Sequence, residues 1–275
     1  MITQLERATK FRALHERQGA FVIPNPWDVG SARLLAGLGF EAMATTSSGF
    51  ANSMGLLDGQ VTRDEVIEHC RTISAATELP VSADLENCFA DDPSGVGETI
   101  LLGARAGLVG CSIEDFSRDQ SNPIYDFAQA TERVHAAVEA ARSLAFPFTL
   151  TARAENLLHG KNDLDDTIRR LQAFEAAGAD VLYAPGLKTL DEVRLVTGSV
   201  KKPVNVLAPV LKDVTVAQLA DAGAKRISTG GALARAAITA LLCAGTEMIE
   251  LGSFEWTSDL TSSADVRKLL SAWVA

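Results

Sequence analysis

The chain has 275 residues, of which 47% are hydrophobic and 22% charged, and its formal net charge is −10. This composition supports a large folded core, and the negative charge argues against nucleic acid and anionic membranes as partners because both attract a positive surface. The four cysteines form no CxxC pair, so we expect neither a zinc site nor a disulfide framework. With no apolar leader and no uninterrupted run of ~20 apolar residues, we expect a cytoplasmic protein with one domain over residues 1–275.

In chain order, a charged and amphipathic N-terminal segment predicts a helix before the first strand. Beyond it, short apolar runs alternate with helical patterns, among them Arg63–Thr77, Ala128–Leu144 and Leu164–Ala177. The apolar runs predict eight strands, at Phe21–Pro24, Glu41–Thr45, Val81–Glu86, Gly110–Glu114, Phe148–Arg153, Val181–Tyr183, Val204–Leu207 and Arg226–Ser228.

A weak internal repeat indicates the fold class. Before four of the predicted strands the helical pattern closes in a turn of small residues and glycine, at Gly39, Gly107, Gly178 and Gly223. Glycine is the expected residue after a helix end, and a short apolar run behind it is typical of a buried parallel strand. Eight such units predict an α/β fold, a (β/α)8 TIM barrel with an extra N-terminal helix and C-terminal helices. A doubly wound open sheet is the alternative, but no GxGxxG follows the first strand.

Polar residues collect where the predicted strands end, which is where TIM barrels place their active sites. They are Asn25, Thr45, Thr46, Ser47, Ser48, Asp84, Glu86, Glu114, Asp115, Arg153, Glu155, Tyr183, Asn205, Ser228 and Thr229. Burying polar groups costs free energy unless they are paired or bind a ligand. These strand ends therefore predict a binding site, and a purely structural barrel is poorly compatible with them.

Three carboxylates within this set suggest a metal site. Asp84 and Glu86 are two residues apart on one predicted strand, so their side chains would point the same way, and Glu114 ends the next strand. Such carboxylates suit Mg²⁺ or Mn²⁺, and their mutual repulsion favours a bound cation. The alternative is that they cap the following helices or pair with Arg153.

Arg153 ends the fifth predicted strand, and two interpretations of it stay open. It could bind a substrate carboxylate through two parallel hydrogen bonds, or it could form a structural ion pair with Glu155 or Glu114. The Thr45–Ser48 run offers hydroxyl and backbone N–H groups to an anion. Asp58, in a glycine-rich stretch, is by itself more typical of a turn.

The residue types that are missing also narrow the chemistry. No lysine falls inside a predicted strand, which counts against a Schiff-base aldolase. His159 is the one histidine in a predicted loop after a strand. General acid–base catalysis would therefore fall to carboxylates, water or Tyr183.

A series of short motifs follows the strands in a characteristic order and spacing. They are Pro24–Asp28, Thr45–Gly49, Ser53–Asp58, Ala83–Glu86, Ile113–Asp115, Ala152–Arg153, Gly178–Asp180, Pro203–Leu207 and Ser228–Gly231. Together they resemble the isocitrate lyase/phosphoenolpyruvate mutase superfamily over nearly the whole chain. The resemblance implies a Mg²⁺-dependent barrel, usually a tetramer whose last helix swaps between barrels. It also implies chemistry that makes or breaks a C–C or P–C bond next to a 2-oxo carboxylate.

The resemblance implies roles for individual residues, which we combine with the candidates above. The candidate site consists of metal ligands (Asp84, Glu114 and Glu86), substrate-binding residues (Thr46, Ser47, Ser48, Arg153 and Asn205) and catalytic residues (Asp58 and Arg153). The expected cofactor is Mg²⁺ or Mn²⁺.

The sequence departs from the superfamily pattern at several positions. Ser82 replaces the first metal-binding Asp, Cys88-Phe89-Ala90 replaces a Gly-Tyr-Gly turn, and Pro185 lies where the lyase branch has Glu. The loop at 116–126 contains no Cys, and its Arg118 matches the Lys of the P–C branch only loosely. These departures argue against isocitrate and methylisocitrate cleavage. With them, the chain resembles a poorly assigned subgroup of the superfamily.

Our leading hypothesis is a Mg²⁺-dependent C–C bond lyase or decarboxylase acting on a small 2-oxo or 2-hydroxy carboxylate, similar to oxaloacetate or 2-oxoglutarate. One alternative is a P–C bond phosphonomutase or phosphonopyruvate hydrolase, and another is a non-catalytic 2-oxo acid binder. A homotetramer is implied, and the aromatic-rich segment at 249–275 fits a swapped helix or subunit contact.

Overall fold

The computed structural model describes residues 2–273, and its centre is a sheet of eight parallel strands. The strands are β1 (Phe21–Ile23), β2 (Met43–Ala44), β3 (Val81–Asp84), β4 (Gly110–Glu114), β5 (Thr149–Arg153), β6 (Val181–Tyr183), β7 (Val204–Leu207) and β8 (Arg226–Ser228). Each pairs with its neighbour in chain order, and β8 also pairs with β1. A 3.1 Å hydrogen bond from the Ala44 N–H to the Pro24 carbonyl joins the two remaining edges. The predicted TIM barrel is confirmed.

Helices surround the strands, and most begin at a side-chain cap. They are α1 (Gln4–Glu16), α2 (Val29–Gly37), α3 (Ser47–Ser53), α4 (Arg63–Ala76), α5 (Pro93–Arg105), α6 (Phe127–Arg142), α7 (Leu164–Ala176), α8 (Leu190–Gly198), α9 (Val216–Asp221), α10 (Ala232–Glu250) and α11 (Ser263–Leu270), with 3-10 turns at Ala208–Val210, Glu255–Asp259 and Ser271–Trp273. Reciprocal capping boxes at Thr62 and Thr189, for example, satisfy N–H groups that a helix start otherwise leaves unpaired.

The four predicted glycine turns are present. The φ angles of Gly39, Gly107, Gly178 and Gly223 lie between +90° and +104°, in the left-handed region that favours glycine. Space is restricted as well, because a Cβ at Gly223 would lie 2.6 Å from the Thr197 hydroxyl. These turns let each helix end directly before the next strand.

The two ends of the barrel differ in composition. Helix α1 covers the N-terminal ends of the strands, where Phe11 and Leu14 pack with Phe21 and Ile23 in an apolar cluster. At the opposite end the register brings polar residues to one level, since Glu114 lies opposite Arg153 and Arg153 opposite Tyr183. The N-terminal end of the barrel is therefore closed by apolar packing, and the polar side chains for a site lie at its C-terminal end.

Helix α10 carries apolar side chains that residues 2–273 leave uncovered. Leu241 and Ile249 are 72% and 86% exposed. Arg235 and Glu247 are charged residues within the otherwise apolar sequence of this helix. Its length and composition would still allow it to cross a membrane, and only 6% of that segment is buried. Length and composition do not distinguish such a span from a helix covered by another protein. The predicted subunit contact at 249–275 includes this helix end, and its last two residues lie outside the described range.

Candidate active site

A cavity of about 170 Å³ opens at the C-terminal ends of the strands. Its lining includes all the predicted substrate-binding residues and two of the predicted acids: Thr46, Ser47, Ser48, Arg153, Asn205, Asp58 and Asp84. Glu86 and Glu114 line a second depression beside it, which shares Ser47, Asp58 and Arg153 with the first. The structure thus brings every predicted site residue to one end of the barrel.

Arg153 is the centre of a buried ion-pair cluster. Its Nη1 lies 2.9 Å from Asp84 Oδ1 and 3.1 Å from Glu114 Oε2. Its Nε donates a 2.8 Å hydrogen bond to Glu155 Oε1. The pairs with Glu114 and Glu155 that the sequence left open are therefore present. Because these acids occupy Nη1 and Nε, Nη2 is the guanidinium nitrogen that remains available to contact a substrate.

Glu86 occupies a different position from the predicted one. Strand β3 ends at Asp84, and Glu86 has a φ of +51°, so the alternation of a strand does not reach it. The Arg133 guanidinium from α6 stabilises this turn by donating hydrogen bonds to the carbonyls of Asn87 and Ala90. The Glu86 carboxylate instead pairs with Arg118. The expectation that Glu86 and Asp84 point the same way along one strand was wrong.

Four acids in this region have raised pKa values: Glu86, Glu155, Glu114 and Asp58. Burial, followed by the charge of Asp84, raises the pKa of Glu86 to about 7. Burial also raises the pKa of Glu155 to about 6 and that of Glu114 well above its usual value. At the exposed mouth, partial loss of solvent and the charge of Asp84 raise the pKa of Asp58. Burial is the largest cause for each of these acids, and repulsion within a cluster that has more acids than arginines adds to it.

These residues suit a divalent cation that keeps several water ligands better than one whose ligands all come from the protein. Among residues 2–273, no group of three His, Cys, Asp or Glu side chains is arranged to hold an ion directly. However, Mg²⁺ usually takes one or two carboxylates and keeps several waters. Asp84 lines the cavity and Glu114 shares its Arg153 contact, so oxygen donors and surplus negative charge are both present.

The Thr45–Ser48 run holds Asp84 in place. The Thr45 hydroxyl accepts a 3.0 Å hydrogen bond from the Asp84 N–H, and the Ser47 N–H points to Asp84 Oδ2 at 3.5 Å. The Thr46 hydroxyl caps α3 by accepting from the Gly49 N–H. The Asp84 carboxylate and the hydroxyl groups of this segment therefore face the cavity together.

A second set of polar residues lies on β6–β8. Asn205 is fully buried, and its amide donates a 2.9 Å hydrogen bond to the Ser228 hydroxyl. Its Oδ1 accepts a 2.9 Å hydrogen bond from Nε of Arg226, which also lines the cavity. Arg226 was not among the predicted site residues. The signal was available, because Arg226 and Ser228 are two apart on one strand and face the same side.

The loop between β4 and α6 lies against the acids. Phe116 pairs with Ile124 in an antiparallel bridge that closes the loop. The Phe116 ring stacks on His159 at 3.9 Å, and His159 Nε2 lies 3.8 Å from Glu155 Oε2. The loop is therefore placed to restrict access of water to the site.

Asp115, another predicted strand-end acid, has a structural partner. Arg170 from α7 donates a 3.0 Å hydrogen bond to Asp115 Oδ2, and Asp115 Oδ1 accepts one of 2.7 Å from the Glu155 N–H. This contact fixes the end of β5 relative to β4, and with it the position of Arg153.

Comparison with known proteins gives the same picture over most of the chain. The model of the phosphoenolpyruvate phosphomutase family matches residues 11–249. A provisionally assigned lyase/mutase from Burkholderia cenocepacia J2315 is 54% identical, with a TM-score of 0.95 over 98% of this chain and 96% of that one. An oxaloacetate decarboxylase from Ectopseudomonas mendocina is 28% identical over 94% of this chain and 92% of its own. A 2,3-dimethylmalate lyase is 25% identical, with a TM-score of 0.84 over 98% and 95% of the two chains.

Proposed function

The chain belongs to the phosphoenolpyruvate phosphomutase family, and on that premise we propose that it is a Mg²⁺-dependent lyase that breaks a carbon–carbon bond in a small 2-oxo or 2-hydroxy carboxylate. Similar proteins include an oxaloacetate decarboxylase and a 2,3-dimethylmalate lyase. The proposed substrate resembles oxaloacetate or 2-oxoglutarate. Decarboxylation and retro-aldol cleavage would use the same site.

The observation that carries this proposal is the acid cluster around Arg153 beside a small polar cavity. Asp84 and Glu114 share one guanidinium nitrogen, and the pKa of Glu114 is raised mainly by burial. Such a cluster is stabilised by additional positive charge. Asp84 and Glu114 would hold the cation, with Glu86 nearby. When bound, Mg²⁺ would supply a Lewis acid for the 2-oxo oxygen.

The protein's own residues would orient the substrate and move its proton. Thr46, Ser47 and Ser48 would donate hydrogen bonds to a carboxylate at the cavity wall, and the free nitrogen of Arg153 would add positive charge. Asp58 lies at the mouth with a raised pKa, so it keeps a proton over a wider pH range than a free Asp. We assign it the delivery of that proton to the carbon that loses its bond partner.

The test combines binding and turnover. Thermal midpoints would be measured with a panel of 2-oxo and 2-hydroxy acids, in Mg²⁺ and in EDTA, because a ligand of the native state raises the midpoint. At least one 2-oxo acid should do so only with Mg²⁺ and should also be cleaved. Asp84→Ala should lower that turnover by more than the ~100-fold typical of a metal's outer-shell partner.

The matched control is Asp64→Ala, which removes an acid that is 91% exposed and should leave turnover unchanged. Mg²⁺-dependent turnover retained by Asp84→Ala would contradict the metal assignment. If no acid shifted the midpoint of the wild-type protein, the proposed substrate class would be wrong.

Two alternatives have specific support. The family description favours phosphonate chemistry, in which a P–C bond is broken, and Arg118 beside Glu86 would supply a cation near the phosphonate. A non-catalytic binder is the other alternative, and it would show a ligand-induced midpoint shift without turnover.

We also propose a cytoplasmic homotetramer. The support is the exposed apolar side of α10, where Leu242 and Ile249 are 63% and 86% exposed. Exposed apolar surface of this kind is typical of a subunit contact. Light scattering of the purified full chain would give the oligomeric state directly.

A further inference from the structure

Arg226 is a buried cation without an acidic partner. It is 4% exposed at the start of β8 and lines the floor of the cavity. Its Nε donates to Asn205, whereas its Nη1 is buried with no hydrogen-bond partner in the described part of the chain. None of the ion pairs among residues 2–273 includes it. Burial, followed by repulsion from Arg153, lowers the pKa of Arg226 to about 10.

An unpaired buried guanidinium is costly. Taking an ion out of water costs free energy in proteins unless hydrogen bonds and an opposite charge compensate it. A neutral residue would fill this strand position without that cost. The cost is consistent with a cation that is kept for a ligand, since an anion in the cavity would supply the missing charge.

The surroundings of Arg226 are those of an anion site. Ser82 and Ser228 line the same cavity and add neutral hydroxyl groups. Toward the mouth the cavity continues past Ser112, whose hydroxyl lies 3.4 Å from Asp84 Oδ1. The acids therefore collect at the mouth, around Arg153, and the floor has a positive charge with neutral donors. One continuous cavity thus offers two positions of different charge.

We propose that Arg226 is the residue that recognises the second carboxylate of a small 2-oxo or 2-hydroxy dicarboxylate and so distinguishes it from a monocarboxylate. This inference rests on the proposed function, which places the 2-oxo or 2-hydroxy acid group beside Asp84. The volume of about 170 Å³ suits such a ligand, since it equals that of about six waters at ~30 Å³ each.

The position of Arg226 also separates the two reactions of the proposed function. A carboxylate leaves as CO₂ only when it gives up its negative charge to the new carbanion. An ion pair with Arg226 stabilises that charge in the ground state and so opposes the loss of CO₂ from this carboxylate. In a 2-hydroxy dicarboxylate, the bond between the hydroxyl-bearing carbon and its neighbour can break while both carboxylates stay intact: the hydroxyl loses its proton, its carbon becomes the carbonyl of a 2-oxo acid, and the neighbouring carbon takes up a proton. The pair with Arg226 does not oppose this cleavage.

The test uses two ligands that differ only in the second carboxylate, malate and 2-hydroxybutyrate. Their affinities for the full chain would be measured by calorimetry with Mg²⁺ present, for the wild type, Arg226→Met and Arg226→Lys. A hydrogen-bonded charge contributes roughly 10- to 100-fold in affinity. We expect the wild type to prefer malate by about that factor. Arg226→Met should remove the preference and leave 2-hydroxybutyrate binding unchanged, and Arg226→Lys should keep part of it.

Equal affinity of the wild type for both ligands would overturn the inference, and this comparison does not depend on any variant folding. An equal loss of both ligands in Arg226→Met would also overturn it, since Arg226 would then act on the shared acid group or on the fold. Malate preference without turnover of any 2-oxo acid would support the Arg226 site and contradict only the proposed lyase reaction.

Discussion

Arg153 and Arg226 line the same cavity, but their surroundings differ. Arg153, at the mouth, contacts the carboxylates of Asp84, Glu114 and Glu155 within 3.1 Å. Arg226, at the floor, has one side-chain hydrogen-bonding partner among residues 2–273, the neutral Asn205. Both side chains are largely buried, so exposure alone would not distinguish them. We infer from this difference that Arg153 holds the site together, whereas Arg226 is available to bind a ligand.

This comparison also explains the pattern of pKa values. The acids at the mouth outnumber their arginine partners, and the pKa values of Glu86 and Glu155 are raised. The floor has the opposite imbalance, and the pKa of Arg226 is lowered, mainly by burial. A ligand with two acid groups would match both ends of the cavity. One acid group would bind a metal ion held by the acids at the mouth, and the other would pair with Arg226 at the floor.

The largest expected effect comes from removing the paired arginine. Arg153→Met preserves most of the side-chain volume but leaves three carboxylates without their shared cation. Breaking a buried ion pair from one side costs about 3–5 kcal/mol. We expect the free energy of unfolding to fall by that amount at neutral pH without Mg²⁺, as measured by urea denaturation.

Arg12→Met provides the control, because Arg12 and its partner Glu16 are more than half exposed and such pairs contribute at most about 1 kcal/mol. If the two variants lost equal stability, Arg153 would not have the structural role that its contacts indicate. Added Mg²⁺ should restore part of the loss in Arg153→Met, since it supplies positive charge to the same acids.

An intermediate effect is expected from pH. The pKa of Glu86 rises from its ordinary 4.5 to about 7 in the folded protein. Since the folded state holds this proton more strongly, the contribution of Glu86 is present below about pH 4.5 and is lost as the pH rises through about 7. Thermal midpoints in EDTA should therefore fall across this window, and Glu86→Gln should flatten the upper part of the fall.

Two variants test whether this pH dependence belongs to the mouth. Glu68→Gln changes an exposed acid on α4 and should leave the profile as in the wild type. Arg226→Met should also leave it unchanged, because no acid contacts Arg226 among residues 2–273. A profile that Glu86→Gln does not alter would refute the assignment of the titration to Glu86.

The smallest expected effect is on the stability of Arg226→Met. The variant loses a hydrogen bond to Asn205, which contributes about 1 kcal/mol, but it also removes an unpaired buried charge. We expect the ligand-free variant to lose no stability in urea denaturation, because removal of the unpaired charge offsets the lost hydrogen bond. A loss as large as that of Arg153→Met would show that Arg226 is a structural residue and would remove the contrast between the two sites.

Much of the fold could be predicted because its signals are local. Each strand is a short apolar run, and glycine at 39, 107, 178 and 223 marks the turn where a helix gives way to a strand. Because the strands of a barrel are parallel, their C-terminal ends share one face. The sequence alone therefore determined that Asp84, Glu114, Arg153 and Asn205 lie together.

Contacts between distant parts of the chain decided the rest. Glu86 departs from its predicted strand in a turn that Arg133 stabilises through a carbonyl 46 residues away in sequence. The proposed role of Arg226 in substrate binding depends on the charges that surround it, and these come from other strands of the folded barrel. Sequence patterns determined which residues reach the site, because periodicity is a local property of the backbone. The partner of each charge depends on side chains that meet across the barrel, and only the tertiary structure decided that.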